Sequence, residues 1–398
     1  SDHHHRDIAN HPMEINGMQL KNRLVKSATY EAMATEDGSV TDQLIDMYTS
    51  LAKGGVGLII TGYAHIQENG HCMPLQTGVF SDDNIPGLQK LADAVHEEGG
   101  TIALQIAHSG RQTFPTLIGD QTPMAPSAIE EDPFFHIEPR AMTTEEISET
   151  IDAFGAAAFR CKEAGFDAVQ LHGAHGYLIA QFLSPFTNRR TDEWGGNTEN
   201  RMRFVKEVVK KVRAAVGPDY PVLIKISVEE GVENGMTLDE SCIIAKGLAD
   251  EGVDAIEVSG GILADTAFVV ARGDVPIDQF TAGLEGDAKA QTEQVLHSIA
   301  DSVKMEEAYW SGHAEKIKGV VGDVPVMVVG GMKYPQTMES IVQEKKADFI
   351  SLARALVKEP ALPKEMAEGR KSPVKCGYCN RCLGAIVAGQ PLKCYNRG

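Results

Sequence analysis

The densest group of reactive side chains in this sequence is His172-Gly173-Ala174-His175-Gly176-Tyr177. Two imidazoles at this spacing can donate hydrogen bonds to an oxygen that gains negative charge. A tyrosine can supply a proton, because its ordinary pKa of about 10 keeps it protonated at neutral pH. An H-x-x-H pair can also bind a metal, but no third ligand of a suitable type lies near it in the sequence. We therefore predict that His172, His175 and Tyr177 form a catalytic group.

Lys225 interrupts the apolar run 222–226. A lysine in a buried strand must point into a polar centre to be tolerated. A bound flavin would provide such a centre, since a cation stabilises the anionic reduced ring. A structural ion pair inside the fold is the alternative.

A glycine pair and an arginine follow two successive apolar runs near the end of the sequence. Gly330 and Gly331 follow the first run, and Arg354 follows the second. Closely spaced backbone N–H groups and a guanidinium fork are typical of a phosphate site. A tight turn would explain the glycines alone, but the arginine in the next loop favours phosphate binding.

Four of the seven cysteines lie close together near the end of the sequence. They are Cys376, Cys379, Cys382 and Cys394, with the spacing C-x2-C-x2-C-x11-C. This spacing suits a [4Fe–4S] cluster, and it also suits a tetrahedral zinc site. Thiols without a metal are the third interpretation. The spacing by itself leaves these three interpretations open.

Eight short apolar runs alternate with amphipathic segments along the chain. The predicted strands are 24–28, 56–61, 102–107, 168–172, 222–227, 255–259, 326–330 and 349–353. The predicted helices are 43–53, 86–98, 144–164, 198–215, 238–251, 309–320, 335–344 and 359–368. Several strands are apolar throughout, as expected when helices cover a parallel sheet. Eight β-then-α units predict an α/β fold, a (β/α)8 TIM barrel, with a doubly wound sheet as the alternative.

The reactive residues fall at the ends of these strands, where a barrel builds its active site. Long loops are predicted after strand 3 (109–143) and strand 6 (262–307). The part 287–307 has helical character, so this second loop is a candidate lid or oligomer contact. We divide the chain into a barrel of residues 1–370, in which 1–12 form a flexible arm, and a cysteine-rich tail of residues 371–398.

The charge balance and hydropathy pattern narrow the class of protein. Lys and Arg number 37 against 56 Asp and Glu, a net charge of −19. So acidic a chain lacks the basic patch that nucleic-acid binding requires. No apolar run approaches the roughly 18 residues that span a bilayer, and no secretory signal pattern is present. We expect a cytoplasmic protein with reduced thiols.

The sequence from about residue 22 to residue 368 resembles the Old Yellow Enzyme family of FMN ene-reductases. Its most specific block is Leu171-His172-Gly173-Ala174-His175-Gly176-Tyr177-Leu178-Ile179, followed by Phe182-Leu183-Ser184-Pro185, Asn188-Arg189-Arg190-Thr191-Asp192-Glu193-Trp194-Gly195-Gly196 and Glu199-Asn200-Arg201. The resemblance implies FMN-dependent reduction of an activated C=C bond in an enone, enal, nitroalkene or enoyl thioester. Hydride would pass from flavin N5 to the β-carbon, and NAD(P)H would then reduce the flavin again.

The resemblance also assigns roles to residues of this chain. His172 and His175 would hold the electron-withdrawing group, and Tyr177 would protonate the α-carbon. The implied flavin-binding residues are Ser27, Ala28, Thr29, Gly62, Gln105 and Lys225, and the implied phosphate-binding residues are Gly330, Gly331, Ala353 and Arg354. The substrate walls would include Tyr30, Tyr63, the segment Phe134-Phe135-His136 and the long loop after strand 6 (262–307).

Two positions depart from the family pattern. Tyr30 stands where relatives carry a redox-tuning Cys or Thr, or a cysteine joined covalently to the flavin. A tyrosine cannot form that thioether, so we expect non-covalent FMN. Lys225 stands where many members have arginine, and it lacks the bidentate fork.

The tail resembles that of the 2,4-dienoyl-CoA reductase branch, which carries a [4Fe–4S] cluster but has one more residue between its second and third cysteines. The resemblance therefore implies a [4Fe–4S] cluster on Cys376, Cys379, Cys382 and Cys394, with zinc as the alternative. In that branch an FAD domain feeds electrons through the cluster. This sequence ends at Gly398, four residues after Cys394, so we expect a separate electron-donor protein, or direct NAD(P)H reduction beside a structural cluster. We also expect a small-molecule unsaturated substrate and a homo-oligomer. The functional alternative is a flavin and iron–sulfur dehydrogenase or electron-transfer component that oxidises an amine or a saturated ring.

Overall fold

The computed structural model describes residues 7–396, and its centre is a closed barrel of eight parallel strands. The barrel strands 1 to 8 are Leu24–Lys26, Leu58–Ile60, Ile102–Ala107, Ala168–Gly173, Val222–Ser227, Ala255–Ser259, Val326–Val329 and Phe349–Leu352. Each strand pairs with the next in the sequence, and strand 8 pairs with strand 1. The predicted (β/α)8 barrel is confirmed.

Helices cover the outside of the barrel. They are Asp42–Lys53, Ile85–Glu97, Thr144–Glu163, Thr198–Val216, Leu238–Asp250, Ser311–Lys318, Pro335–Gln343, Arg354–Lys358 and Leu362–Ala367. A capping box between Thr143 and Glu146 fixes the start of the third helix. The predicted helix 359–368 began too early, because Pro360 keeps Glu359 in a non-helical conformation (φ −130°, ψ 80°).

The barrel interior is apolar at the amino ends of the strands. The side chains that fill it include Val25, Leu58, Leu223, Met327 and Phe349. A hairpin of Met13–Ile15 and Met18–Leu20 packs against this layer. Polar side chains that point inward therefore lie at the carboxyl ends of the strands, where they face the loops.

The two long loops contain regular structure of their own. The loop after strand 3 has a short 3-10 helix, Pro115–Ile118, and the two-residue strands Met124–Ala125 and Arg140–Ala141. The loop after strand 6 folds into the helices Leu263–Val270, Ile277–Phe280 and Gly286–Ser302. The sequence analysis missed a helix after strand 4, Leu178–Leu183, because six residues are too few to show a periodic pattern.

Both ends of the described chain pack on the barrel. Ile8–Asn10 forms a 3-10 helix, and Ile8 N donates to Glu339 Oε1 at 2.7 Å. The tail forms the helix Arg381–Val387, which lies against Ile277–Phe280. Residues 1–6 of the predicted arm and 397–398 of the predicted tail lie outside the described residues. Within 7–396, no helix has both the length and the apolar character needed to cross a membrane.

Candidate active site

A cavity opens at the carboxyl ends of the barrel strands. The predicted site residues that line it are Ser27, Ala28, Thr29, Tyr30, Tyr63, Gln105, Phe134, His172, His175, Tyr177, Lys225, Gly330, Gly331, Ala353 and Arg354.

Gly62 is the predicted flavin-binding residue that does not line this cavity. Its amide donates to Tyr48 Oη at 2.8 Å. A Cβ at this position would lie 2.4 Å from Glu31 Oε1 and 2.5 Å from Thr29 O. Glycine is therefore required here by the close packing of strand 2 against the loop after strand 1.

A buried ion pair forms the polar floor of the cavity. Lys225 Nζ lies 3.3 Å from Glu257 Oε1 and donates to Ser27 Oγ at 2.9 Å. The two charged side chains are 2% and 0% exposed. The strand register explains the pairing, because Lys225 lies beside Glu257 on one neighbouring strand and beside His172 on the other.

Amide side chains extend this floor. Gln105 Nε2 donates to Gln170 Oε1 at 2.9 Å, and Gln170 Nε2 donates to Glu257 Oε1 at 3.1 Å. Burial opposes the ionisation of Glu257, yet the Lys225 ammonium and these hydrogen bonds hold the pKa of its carboxyl below the usual value. Sequence reasoning missed Glu257 and Gln170. The available signal was a carboxylate in the apolar run 255–259, one strand after the equally unusual Lys225.

The two histidines lie with their ring centroids 5.3 Å apart and their planes nearly perpendicular. His175 Nε2 lies 2.7 Å from Ser259 Oγ, and its backbone N–H donates to Ser227 Oγ at 2.9 Å. Ala174 N–H donates to His172 Nδ1 at 3.4 Å, which favours the tautomer that carries its proton on Nε2. Neighbouring strands therefore hold both rings at the wall of the cavity.

Both histidines are neutral at physiological pH. Burial lowers the pKa of His172 and of His175 well below the usual value, and the positive charge of Lys225 lowers it further. A neutral imidazole still has one N–H to donate. The pair can therefore stabilise an oxygen that gains negative charge without placing a permanent charge in the cavity.

Three tyrosines surround the histidines. The Tyr177 ring lies 4.7 Å from the His172 ring and 5.2 Å from the Tyr63 ring, and Tyr63 contacts Tyr30 at 5.9 Å. Burial raises the pKa of Tyr177 above its usual value. Its hydroxyl therefore stays protonated across the physiological pH range.

The far wall of the cavity carries the predicted phosphate-binding residues. Gly330 and Gly331 have φ values of 114° and 67°. A Cβ on Gly330 would lie 2.6 Å from the Tyr309 ring, so both conformation and packing require glycine there. Arg354 brings a guanidinium to the same wall and donates to Tyr309 Oη at 3.3 Å.

The long loop after strand 6, a predicted part of the substrate walls, lines the cavity with Leu263, Ala267, Phe268, Val270, Ala271 and Phe280. The tail, which the sequence analysis did not assign to the site, adds Tyr378, Leu383, Ile386 and Val387. These side chains are mostly apolar. No motif indicated the tail residues, since their position depends on how the tail folds back over the barrel.

The four tail cysteines are each half-buried. Burial raises the pKa of the Cys376 thiol, and it raises that of Cys382 to about 11. Four thiols are a suitable donor set for an iron–sulfur cluster or zinc. Among residues 7–396, however, no three His, Cys, Asp or Glu side chains lie close enough together to bind a metal ion. This holds for the tail cysteines and also for the His172/His175 pair.

The arrangement of the cavity fits FMN. A buried cation and an amide face the centre of an otherwise apolar space, as a ring that gains negative charge requires. An arginine and a glycine turn lie at the wall where a phosphate would be held. A family model described as NADH:flavin oxidoreductase / NADH oxidase matches residues 10–281 and 278–372. The chain belongs to this family.

Solved and curated proteins agree with that membership. This flavin oxidoreductase is 38% identical to an NADH oxidase of Thermoanaerobacter brockii, over 94% of this chain and 53% of that protein. It is 28% identical to a 2-naphthoyl-CoA reductase solved with 2-naphthoyl-CoA, with a TM-score of 0.83, over 97% of this chain and 56% of the other. The Old Yellow Enzyme homologue of Zymomonas mobilis is 25% identical, with a TM-score of 0.73, over 92% and 94% of the two chains.

The predicted membership in the Old Yellow Enzyme family is therefore confirmed. It spans about half the length of the NADH oxidase and of the naphthoyl-CoA reductase.

Proposed function

We propose that this flavin oxidoreductase reduces an activated C=C bond. The observation that carries the proposal is the convergence of two neutral histidines and a protonated tyrosine on one cavity above a buried cation. A dehydrogenase that oxidises amines or saturated rings does not require a pair of N–H donors that stabilise an oxyanion. The arrangement therefore favours conjugated acceptors over the dehydrogenase alternative.

The side chains have two roles: some stabilise negative charge and one transfers a proton. His172 and His175 donate to the carbonyl or nitro oxygen of the acceptor and stabilise its negative charge as the double bond is reduced. Tyr177 gives its hydroxyl proton to the α-carbon and regains one from solvent. When bound, FMN supplies the hydride from N5 to the β-carbon and is recharged by NAD(P)H. Lys225, which is paired with Glu257, would balance the charge of the reduced ring.

Among the acceptors we favour an unsaturated acyl thioester. The support is the solved naphthoyl-CoA reductase, whose ligand is an acyl thioester of coenzyme A. The apolar surface that the long loop and the tail add to the cavity suits the acyl part of such a substrate. Enones and enals present the same conjugated oxygen and remain acceptable to the two histidines.

The proposed function predicts that acceptors oxidise the reduced flavin. Holoenzyme reduced with dithionite under argon should recover its oxidised absorbance when an enoyl-CoA, an enone or a nitroalkene is added. The saturated analogue of each compound is the matched control and should leave the flavin reduced. If none of the unsaturated compounds accelerates reoxidation over its saturated partner, the proposed function is wrong.

We further propose that the FMN is held non-covalently. The described residues around the cavity include no cysteine, and at position 30 the Tyr30 hydroxyl donates to Pro74 O. The electrons for the flavin come from NAD(P)H or from a donor protein that docks near the tail. We place this chemistry in the cytoplasm, where the thiols stay reduced.

The tail cysteines are proposed to bind a [4Fe–4S] cluster, with zinc as the alternative. Protein purified anaerobically should then contain about four iron and four sulfide per chain. Replacing Cys394 by serine should lower both contents strongly. The control Cys242→Ser removes a half-buried cysteine outside the tail and should change neither. About one zinc per chain without sulfide would establish the zinc site instead. Protein that contains neither metal nor sulfide would show that the four cysteines are free thiols.

A further inference from the structure

Asn380 joins the cysteine tail to two other parts of the molecule. It lies between Cys379 and Arg381, is 1% exposed and adopts a left-handed φ of 61°. Its Oδ1 accepts from Arg354 Nη1 at 2.9 Å, in a buried contact. Its Nδ2 donates to Ala271 O and to Asp274 O, both at 3.0 Å. One side chain therefore connects the end of strand 8, the loop after strand 6 and the tail.

The contacts around Arg354 restrict the position of its guanidinium. The guanidinium carbon lies 4.6 Å from the centre of the Tyr378 ring, and Nη1 also donates to Arg272 O. Tyr378 is fixed in turn, because its carbonyl accepts from Asp274 N at 2.9 Å and its hydroxyl donates to Met332 O. The tail thus supplies both a stacking surface and a hydrogen-bond acceptor to the one arginine at the phosphate wall.

We propose that Asn380 is a positioning residue for Arg354 and makes the tail part of the FMN phosphate site. A long arginine side chain loses conformational entropy when it orders around a ligand, and a partner that orders it in advance removes that cost from binding. Hydrogen bonds to a charged group are also among the stronger ones in proteins. The inference rests on the proposed function in one respect, namely that Arg354 contacts the FMN phosphate.

The preference for FMN over riboflavin measures this role, because riboflavin lacks the phosphate. Full-length holoenzyme is dialysed to equilibrium against mixtures of the two flavins, and the bound flavins are quantified. Asn380→Gly, which suits the left-handed backbone, should lower the FMN preference at least tenfold, the effect of losing about 1.4 kcal/mol. Asn380→Asp keeps the acceptor oxygen for Arg354 and should retain most of the preference.

A matched control is Asn234→Gly, which replaces an exposed asparagine with a similar φ of 59° and should leave the preference unchanged. Arg354→Ala tests the phosphate assignment itself and should remove the preference. If Arg354→Ala removes it and Asn380→Gly does not, the positioning role is wrong and the phosphate site stands. If Arg354→Ala leaves the preference intact, both the phosphate assignment and the inference are overturned. Equal loss of both flavins in Asn380→Gly also overturns it, since a general folding role would act on the two alike.

Discussion

Replacing Tyr177 by phenylalanine should slow reoxidation of the reduced flavin by an enone or enoyl-CoA by about 10²–10⁴-fold, the usual contribution of a positioned general acid. Flavin reduction by NAD(P)H should stay nearly unchanged, since that half-reaction transfers hydride without using the tyrosine proton. Phenylalanine preserves the ring contacts with His172 and Tyr63, so only the proton donor is lost. Stopped-flow measurement of the two half-reactions separates the effects.

The pH dependence gives a second view of the same residue. Because burial raises the pKa of Tyr177, its hydroxyl remains protonated at pH values up to about 10, the usual tyrosine pKa. The rate of the oxidative half-reaction should therefore show no loss from ionisation of this donor as the pH rises toward that value. Tyr334→Phe, at an exposed tyrosine, is the control and should leave both half-reactions unchanged. Unaltered alkene reduction in the Tyr177 variant would show that another group delivers the proton.

Replacing Lys225 by methionine should destabilise the protein by about 3–5 kcal/mol, because it leaves the Glu257 carboxylate buried without its partner. Glu257 is 0% exposed, and its remaining hydrogen bonds from Ser27 and Gln170 do not neutralise the charge. The free energy of unfolding from denaturant titration of the holoenzyme measures the loss. Bound flavin should also be lost more readily, since the cation of the floor is gone.

The chain offers a matched comparison for this pair. Lys246 and Asp250 lie at the same separation, 3.3 Å, but both are largely exposed, so Lys246→Met should change stability little. The double variant Lys225→Met/Glu257→Gln removes both buried charges and should recover much of the loss. A single variant as stable as Lys246→Met would mean that water or another cation compensates Glu257. If the double variant is as unstable as Lys225→Met, the stabilisation comes from the polar network and not from the ion pair.

Local patterns were sufficient for the barrel. Strands 3, 5 and 6 have the predicted bounds, because short, largely apolar runs between helical segments have few other interpretations. The helix Thr144–Glu163 begins where predicted, since its capping residues Thr143 and Glu146 lie close together in the sequence. Errors arose where a few residues decide the conformation, as at Pro360 and in the short helix after Tyr177.

In the candidate site too, some residues could be predicted from nearby sequence and others could not. His172, His175 and Tyr177 were recognised because they lie within six residues, and a barrel directs the ends of all its strands to one face. Glu257 was missed, because its pairing with Lys225 depends on the register between two strands that are separated by a helix. Gly62 was assigned to the flavin, yet its contacts with Tyr48 and Glu31 depend on how the loop after strand 1 returns to strand 2.

The sequence by itself determined the barrel and the family, and it predicted a catalytic group, because each follows from residues that are close in the chain or repeated along it. Only the tertiary structure decided which residues complete the cavity. The ion pair beneath it joins residues 32 positions apart (225 and 257), and the side chain of Asn380 contacts Arg354 and Ala271, which are 26 and 109 positions away. Their free energy comes from desolvation and packing between segments that meet only after folding, and no local pattern in the sequence encodes that meeting.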